Sequence, residues 1–175
     1  MIKTTGWYVL YTKSRHEKKI ANTLSQKGIS NFLPLNKVIK QWHDRRKLVE
    51  EPLFPCYLFV FLESNNDYYE CLECSGVFTF VKSGEQIASV RDTQITQLRT
   101  ITDNVRDIEV TDHFIQPGEN VVITNGPLTG VSGEVVAINN KSKIIVKIET
   151  LNRSLIISLP GEYVTAAGVF APVRN

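Results

Sequence analysis

The sequence predicts an α+β protein in two parts, an antiparallel sheet flanked by helices over residues 5–104 and a small closed all-β barrel over 116–170, with a linker at 105–115. Three observations carry this reading. Trp7–Thr12 and Tyr57–Leu62 are runs of aromatic, aliphatic and β-branched side chains, the composition of buried strands, and segments of helical spacing lie between and after them. Residues 104–116 have no clean period and are acidic. Beyond them the pattern turns to short β runs separated by turn-rich NGPLTG and NNKS. Five such strands fit a closed barrel, because closure removes exposed edges.

Taken in order, Trp7–Thr12 is a strand with Trp7, Val9 and Tyr11 on one face and Tyr8 and Leu10 on the other. Ser14-Arg15-His16-Glu17 reads as a capping box opening a helix that Gly28 closes. Ile20, Ala21 and Leu24 form its inward stripe, while Arg15, Lys18, Lys19 and Asn22 project from the other side. Asn31–Ile39, broken by Pro34, reads as an edge strand. His43-Asp44-Arg45-Arg46-Lys47 is a basic hairpin tip that either reaches nucleic acid or is a solvated loop.

Pro52 and Pro55 exclude a regular helix or central strand before Cys56, since each lacks an amide donor and fixes φ. Tyr57–Leu62 then forms a strand with Leu58, Val60 and Leu62 facing the core and Tyr57, Phe59 and Phe61 facing away. Three adjacent aromatics would expose about 450–750 Å², at or above what a soluble monomer leaves bare. A second element or a partner protein must cover them. Ser64–Gly76 predicts a short helix with Tyr68, Cys71 and Leu72 at helical spacing, Val77–Lys82 a strand, and Asp92 the cap of a third helix carrying Ile95, Leu98 and Ile101.

Charge is lopsided. Residues 1–50 hold 11 Lys and Arg against 3 Asp and Glu, whereas residues 51–175 hold 9 against 15. Solvated lysines are the plainer reading, but clustering on one helix face favours a polyanion-binding surface. No apolar run approaches the roughly 18 residues that span a bilayer. The start has no secretory cleavage pattern, and three cysteines make no disulfide framework, so the expected compartment is the cytoplasm, without membrane contact. Cys71 and Cys74 form an isolated C-x-x-C that no second pair or histidine completes, so they read as packing residues and no metal or other cofactor is expected. With only His16, His43 and His113, no G-x-S-x-G and no phosphate loop, the sequence argues against an enzyme.

Nearly the whole chain resembles the NusG family of transcription elongation factors. Residues 5–104 are similar to its N-terminal domain. Residues 116–170 are similar to its SH3-like KOW barrel, on Pro117-Gly118-Glu119-Asn120-Val121-Val122-Ile123 and the following Gly126, Pro127, Leu128, Gly130 and Gly133. Glu51–Leu62, EPLFPCYLFVFL, resembles the specialised paralogs, RfaH and the UpxY-type antiterminators of polysaccharide operons, more than the general factor. The resemblance implies docking on the β′ clamp helices of RNA polymerase through Tyr8, Phe54, Pro55, Tyr57 and Phe59. It implies a second contact, to the β gate loop, from Asp67, Tyr68 and Tyr69. It further implies binding of the non-template DNA strand by Lys13, Arg15, His16, Lys18 and Lys19, with Trp42 and Tyr11 as candidate stacking partners. The barrel is expected to recruit a small-subunit ribosomal protein or Rho.

The β-branched Ile144-Ile145-Val146 and Ile156-Ile157 favour strands for this second part in the free protein. The rival readings are a general NusG-like factor and an RNA-binding KOW protein of the translation apparatus. The latter would place an excess of positive charge around the barrel, whereas in this chain that excess lies in the first fifty residues.

Overall fold

Alternating side chains fix the first sheet. In a computed structural model, which describes residues 5–41, 45–106, 108–111, 118–138, 141–158 and 164–166, strand β1 (Gly6–Thr12) runs antiparallel to β5 (Tyr57–Leu62), in register from Gly6 opposite Leu62 to Tyr11 opposite Tyr57. With β2 (Asn31–Phe32) and β6 (Val77–Phe80) the order is β2-β5-β1-β6. The aliphatic face of β5 lies on the core as expected: Leu58, Val60 and Leu62 pack with Tyr8, Leu10, Ile20, Leu24 and Phe80.

Helix α1 (Glu17–Gln26) supplies Ile20 and Leu24 to that core. It ends as its glycine requires, with Gly28 (φ +81) donating to the Ser25 carbonyl and Ile29 to Leu24. Its start differs from expectation. The N-cap is His16, with no side-chain cap bond, because Arg15 adopts φ +63 and carries Ser14 out of line. Glu17, expected to close the capping box, is instead buried and used elsewhere.

Pro34 splits the expected edge strand in two. β2 joins the sheet, while β3 (Leu35–Gln41) pairs, among the described residues, with β4 (Arg46–Pro52) alone as a separate two-stranded ribbon. Trp42, His43 and Asp44 of its tip lie outside the described residues. The predicted short helix is α2 (Asn65–Leu72). The predicted strand at Val77–Lys82 stops at Phe80. A small hairpin of β7 (Lys82–Ser83) and β8 (Gln86–Ile87) follows, then β9 (Ser89–Val90), which pairs with β1. Helix α3 (Asp92–Asn104) buries Ile95, Leu98 and Ile101 as its spacing predicts.

The chain divides into two compact units, 1–98 and 99–175. In the second unit the expected linker contributes a strand: β10 (Glu109–Thr111) pairs with β14 (Arg153–Ser158). Its Ile108-x-Val110 pattern is too short to register as periodic. β11 (Glu119–Ile123), β12 (Ser132–Ile138), β13 (Lys141–Ile148) and β15 (Val164–Ala166) complete the order β10-β14-β13-β12-β11-β15. The β-branched runs are strands, as expected, and bury Ile144, Ile145, Val146, Ile156 and Ile157. Among the described residues the ladder is a linear six-stranded sheet, with β10 and β15 at its two ends.

Candidate functional site

The outer face of the first sheet carries the aromatics. Cross-strand pairing sets Trp7 opposite Phe61, Val9 opposite Phe59 and Tyr11 opposite Tyr57. The middle of this face is sealed. Phe59 is 0% exposed, with Phe32 and Phe54 rings 6.2 and 6.3 Å from its own. Tyr8, opposite Val60, points to the opposite side and is 3% exposed within the core. Tyr8, Phe54 and Phe59 are thus interior side chains, not surface ones as the docking expectation needs. Phe32 and Phe54 reach Phe59 from outside the strand pattern, and alternation alone places Tyr8 with Leu10.

What stays open is one end. Tyr11 is 41% exposed and Phe78 62%, and Tyr57 is half-buried. Their rings form a row, Tyr57 to Tyr11 at 5.7 Å and Tyr11 to Phe78 at 5.8 Å. Sequence reasoning missed Phe78, which ideal alternation would place with buried Phe80. A β-bulge re-aims it: β6 pairs Phe80 with Leu10 and Thr79 with Tyr11, but Thr12 faces Val77, leaving Phe78 as the extra residue. At the other end Trp7 and Phe61, both half-buried, meet edge to face at 5.4 Å.

The turn beside this row is pinned to α1. The buried Glu17 carboxylate accepts the Cys56 N–H at 2.8 Å, and the Cys56 carbonyl accepts from Thr12 N–H at 2.8 Å. These bonds hold Cys56 at φ +69, a left-handed conformation costly for a non-glycine residue. Pro55 stands exposed next to it. Replacing Glu17 with alanine removes the acceptor of a part-buried N–H. A loss of about 1.5–3 kcal/mol is expected, the range of a hydrogen bond to a charged group, read by chemical denaturation.

The cations line up as expected on the outside. Lys13, Arg15, Lys18 and Lys19 are exposed, and His16 is half-buried with Nδ1 3.1 Å from the Ser14 carbonyl oxygen. Lys18 Nζ donates to the Glu50 carbonyl at 3.0 Å, tying α1 to the base of the β3–β4 ribbon. Exposed Tyr11 precedes Lys13 by two residues, setting a ring near the first cation.

The α2 triad is only partly available. Asp67 caps its own helix: Oδ2 accepts the Glu63 and Ser64 N–H groups at 2.8 and 2.9 Å, Oδ1 accepts the Ser64 hydroxyl at 2.9 Å, and Ser64 Oγ accepts Asp67 N–H. Tyr68 stacks on Phe80 at 4.9 Å. Tyr69 is the exposed member. Partial burial pushes the Asp67 carboxyl up, but the bonds from Glu63 and Ser64 outweigh it and hold it below its ordinary value. Because the folded carboxyl titrates below the unfolded one, its contribution is complete above about pH 4 and is lost as pH falls through the folded value. Asp67→Asn is therefore expected to flatten the acid-side fall in melting temperature, and Ser64→Ala to cost about 1 kcal/mol at neutral pH.

The second unit's glycine signature also has physical roles. Gly126 (φ +79) and Gly130 (φ +89) shape the β11–β12 loop, in which Gly130 N–H reaches the Ile123 carbonyl at 2.8 Å and Leu128 is buried. Pro127 is exposed and Gly118 half-buried, whereas Pro117 lies outside the described residues. A Cβ on Gly133 would lie 2.6 Å from both Ile144 Cγ2 and the Ile145 carbonyl oxygen. Cys71 and Cys74 are buried, as packing residues are, and burial is the main cause that pushes the Cys71 thiol up to about 12. Among the described residues no three His, Cys, Asp or Glu side chains gather as a metal site, and no helix is long and apolar enough to cross a membrane.

Comparison with known proteins gives the same frame. The family described as "Transcription termination factor nusG" matches residues 5–99, more than half the chain. The "Transcription termination/antitermination protein NusG" of Pseudomonas aeruginosa is 25% identical over 166 residues, covering 87% of this chain and 93% of that protein. Its namesake in Streptococcus pyogenes serotype M1 is 28% identical over 155 residues, covering 82% and 87%. A solved structure of Thermotoga maritima NusG superposes with a TM-score of 0.58 at 21% identity, covering 93% of this chain and 97% of its own, a likeness of fold. With its antiparallel first sheet and the family match running through it, the chain belongs to the NusG family.

Proposed function

We propose that the chain is a non-enzymatic transcription elongation and antitermination factor that docks on the β′ clamp helices of RNA polymerase through the row Tyr57–Tyr11–Phe78. The observation that carries this is the exposure of that row on a family member's N-terminal domain: three neighbouring rings, two exposed and one half-buried among the described residues, are a ready anchor for an apolar partner surface. Phe54 and Phe59, buried in the middle of the same face, bound the row on one side, Pro55 forms its rim, and Tyr69 is the member of the α2 triad that can reach a second polymerase surface such as the β gate loop. By bridging the enzyme, the factor favours its processive state, which requires tighter binding to that state than to the paused one. The specialised, operon-specific kind is favoured by Glu51–Leu62. The second unit, read as a KOW barrel from its glycine signature, recruits a ribosomal protein or Rho, and the working compartment is the cytoplasm.

Lys13, Arg15, Lys18 and Lys19, with His16 beside them, are the non-template-strand contacts of this reading, while Tyr11 is taken up by the polymerase row. Four phosphate contacts predict a log–log salt slope near −2.8 for single-stranded DNA, about 0.7 per contact. A flat salt response would remove this surface from the mechanism. The central test is co-elution of the purified chain with core RNA polymerase and its effect on paused elongation complexes in vitro. Association with ribosomes and none with polymerase would favour the translation reading. Equal antipausing on every template would favour a general factor.

A further inference from the structure

Phe54-Pro55-Cys56-Tyr57 is a four-residue turn closed by the Tyr57 N–H on the Phe54 carbonyl at 3.2 Å, and Cys56, at its third place, has φ +69. Proline at the second place cannot take the positive φ that the mirror-image turns I′ and II′ require there, so the hydrogen-bonded form that remains is type II. That form favours glycine at its third place. For cysteine the type I form, with φ of about −90° there, avoids the left-handed region. The two forms differ by a flip of the peptide between the second and third residues, which reverses the direction of the Cys56 N–H. Glu17 of α1, buried, accepts that N–H at 2.8 Å and so opposes the flip. From this turn the backbone reaches all three rings of the row. Tyr57 follows Cys56 directly, and the Cys56 carbonyl accepts from Thr12, the residue after Tyr11. Lys13 N–H in turn donates to the Gly76 carbonyl at 2.7 Å, two residues before Phe78. Gly76 also lies against α1, since a Cβ there would meet Ile20 Cδ1 at 3.2 Å.

We infer that Glu17 is a positioning residue for the polymerase contact: it latches the Phe54–Tyr57 turn in its type II form and so keeps Tyr57 in line with Tyr11 and Phe78. A carboxylate that only stabilised the fold could bond any N–H within reach. This one holds the N–H that the flip would reverse, at a residue type that favours the flip. A partner surface then meets rings already in place, and the molecules able to dock are not divided between two forms of the turn. The inference rests on the docking reading for its partner, but the geometry of the row can be measured with no polymerase present, so the two can fail separately.

The test reads the ring-to-ring nuclear Overhauser contacts of Tyr57, Tyr11 and Phe78 in the full chain, beside its affinity for core RNA polymerase, both well below the melting midpoint. Glu17→Ala is expected to lose the Tyr57 to Tyr11 contact and to bind polymerase about tenfold more weakly, as when about one molecule in ten holds the docking form. Glu17→Gln keeps an oxygen acceptor and should match the parent in both readings. The Glu17→Ala, Cys56→Gly variant should recover both, because glycine takes positive φ freely and needs no latch. A role in stability alone would lower the melting temperature of Glu17→Ala and leave both readings as in the parent, which overturns the inference. Failure of glycine at Cys56 to restore the ring contact also overturns it, and decides the matter if Glu17→Ala alone does not fold. A parent chain that shows the ring contacts yet binds no polymerase would count against the docking reading alone.

Discussion

Serine at both Tyr11 and Phe78 is expected to abolish co-elution with RNA polymerase while the chain stays folded. The two rings lie 5.8 Å apart, and both are exposed, Tyr11 at 41% and Phe78 at 62%, so their removal leaves no closed cavity. Central aromatic anchors of interfaces each cost about 2 kcal/mol or more on truncation. Because these two are neighbours, their effects will not simply add, but a loss of at least about a hundredfold in affinity is expected for the pair. Phe59→Ser is the counterpart. That side chain is packed between Phe32 and Phe54, and truncating a buried Phe costs about 3–5 kcal/mol, so this variant should lose its cooperative melt rather than only its partner. Polymerase binding that survives Tyr11→Ser with Phe78→Ser would send the search to the Trp7–Phe61 end of the same face.

Gly133→Ala is expected to damage the second unit selectively. The added methyl would overlap a backbone oxygen, that of Ile145, and the adjacent residues Glu134 and Val135 are held in register with Ile145 and Ile144. A side-chain tip could swing aside. A ladder carbonyl cannot do so without breaking the pairing of β12 with β13. Overpacking costs about 1–3 kcal/mol where the neighbours are mobile, and the upper end is expected here. Amide hydrogen exchange of β12 to β14 should accelerate, while that of β1 and β5 stays as in the parent. Unchanged exchange in both would show that the strands part at little cost.

What could be read from the sequence was whatever depends on neighbours along the chain. Alternation in Tyr57–Leu62 names the core face correctly, the spacing of Ile95, Leu98 and Ile101 names a helix face, and Gly28 ends a helix. What failed depends on residues that meet only in space. Phe59 is hidden because Phe32 and Phe54 arrive from other segments. Phe78 is exposed because one extra residue bulges out of a pairing that no local pattern announces. Glu17 follows serine at the spacing of a capping box, yet the left-handed turn at Arg15 frees it to hold Cys56. Strands of two residues, such as β7 to β9, are shorter than any period can register. Local pattern therefore named the strand that bears the aromatic face but not which of its rings and their neighbours, Tyr8, Phe54 and Phe59 among them, the fold would bury.

The unequal surroundings of the three thiols suit the protein to optical work without engineering. Cys71 and Cys74 are shut in, burial pushes both thiols up, and Cys71, at about 12, carries almost no thiolate near neutrality. Cys56 is only half-buried, in the turn directly before Tyr57. A maleimide dye should accordingly attach there alone, beside the rings proposed to meet polymerase, and its emission would follow their engagement in real time.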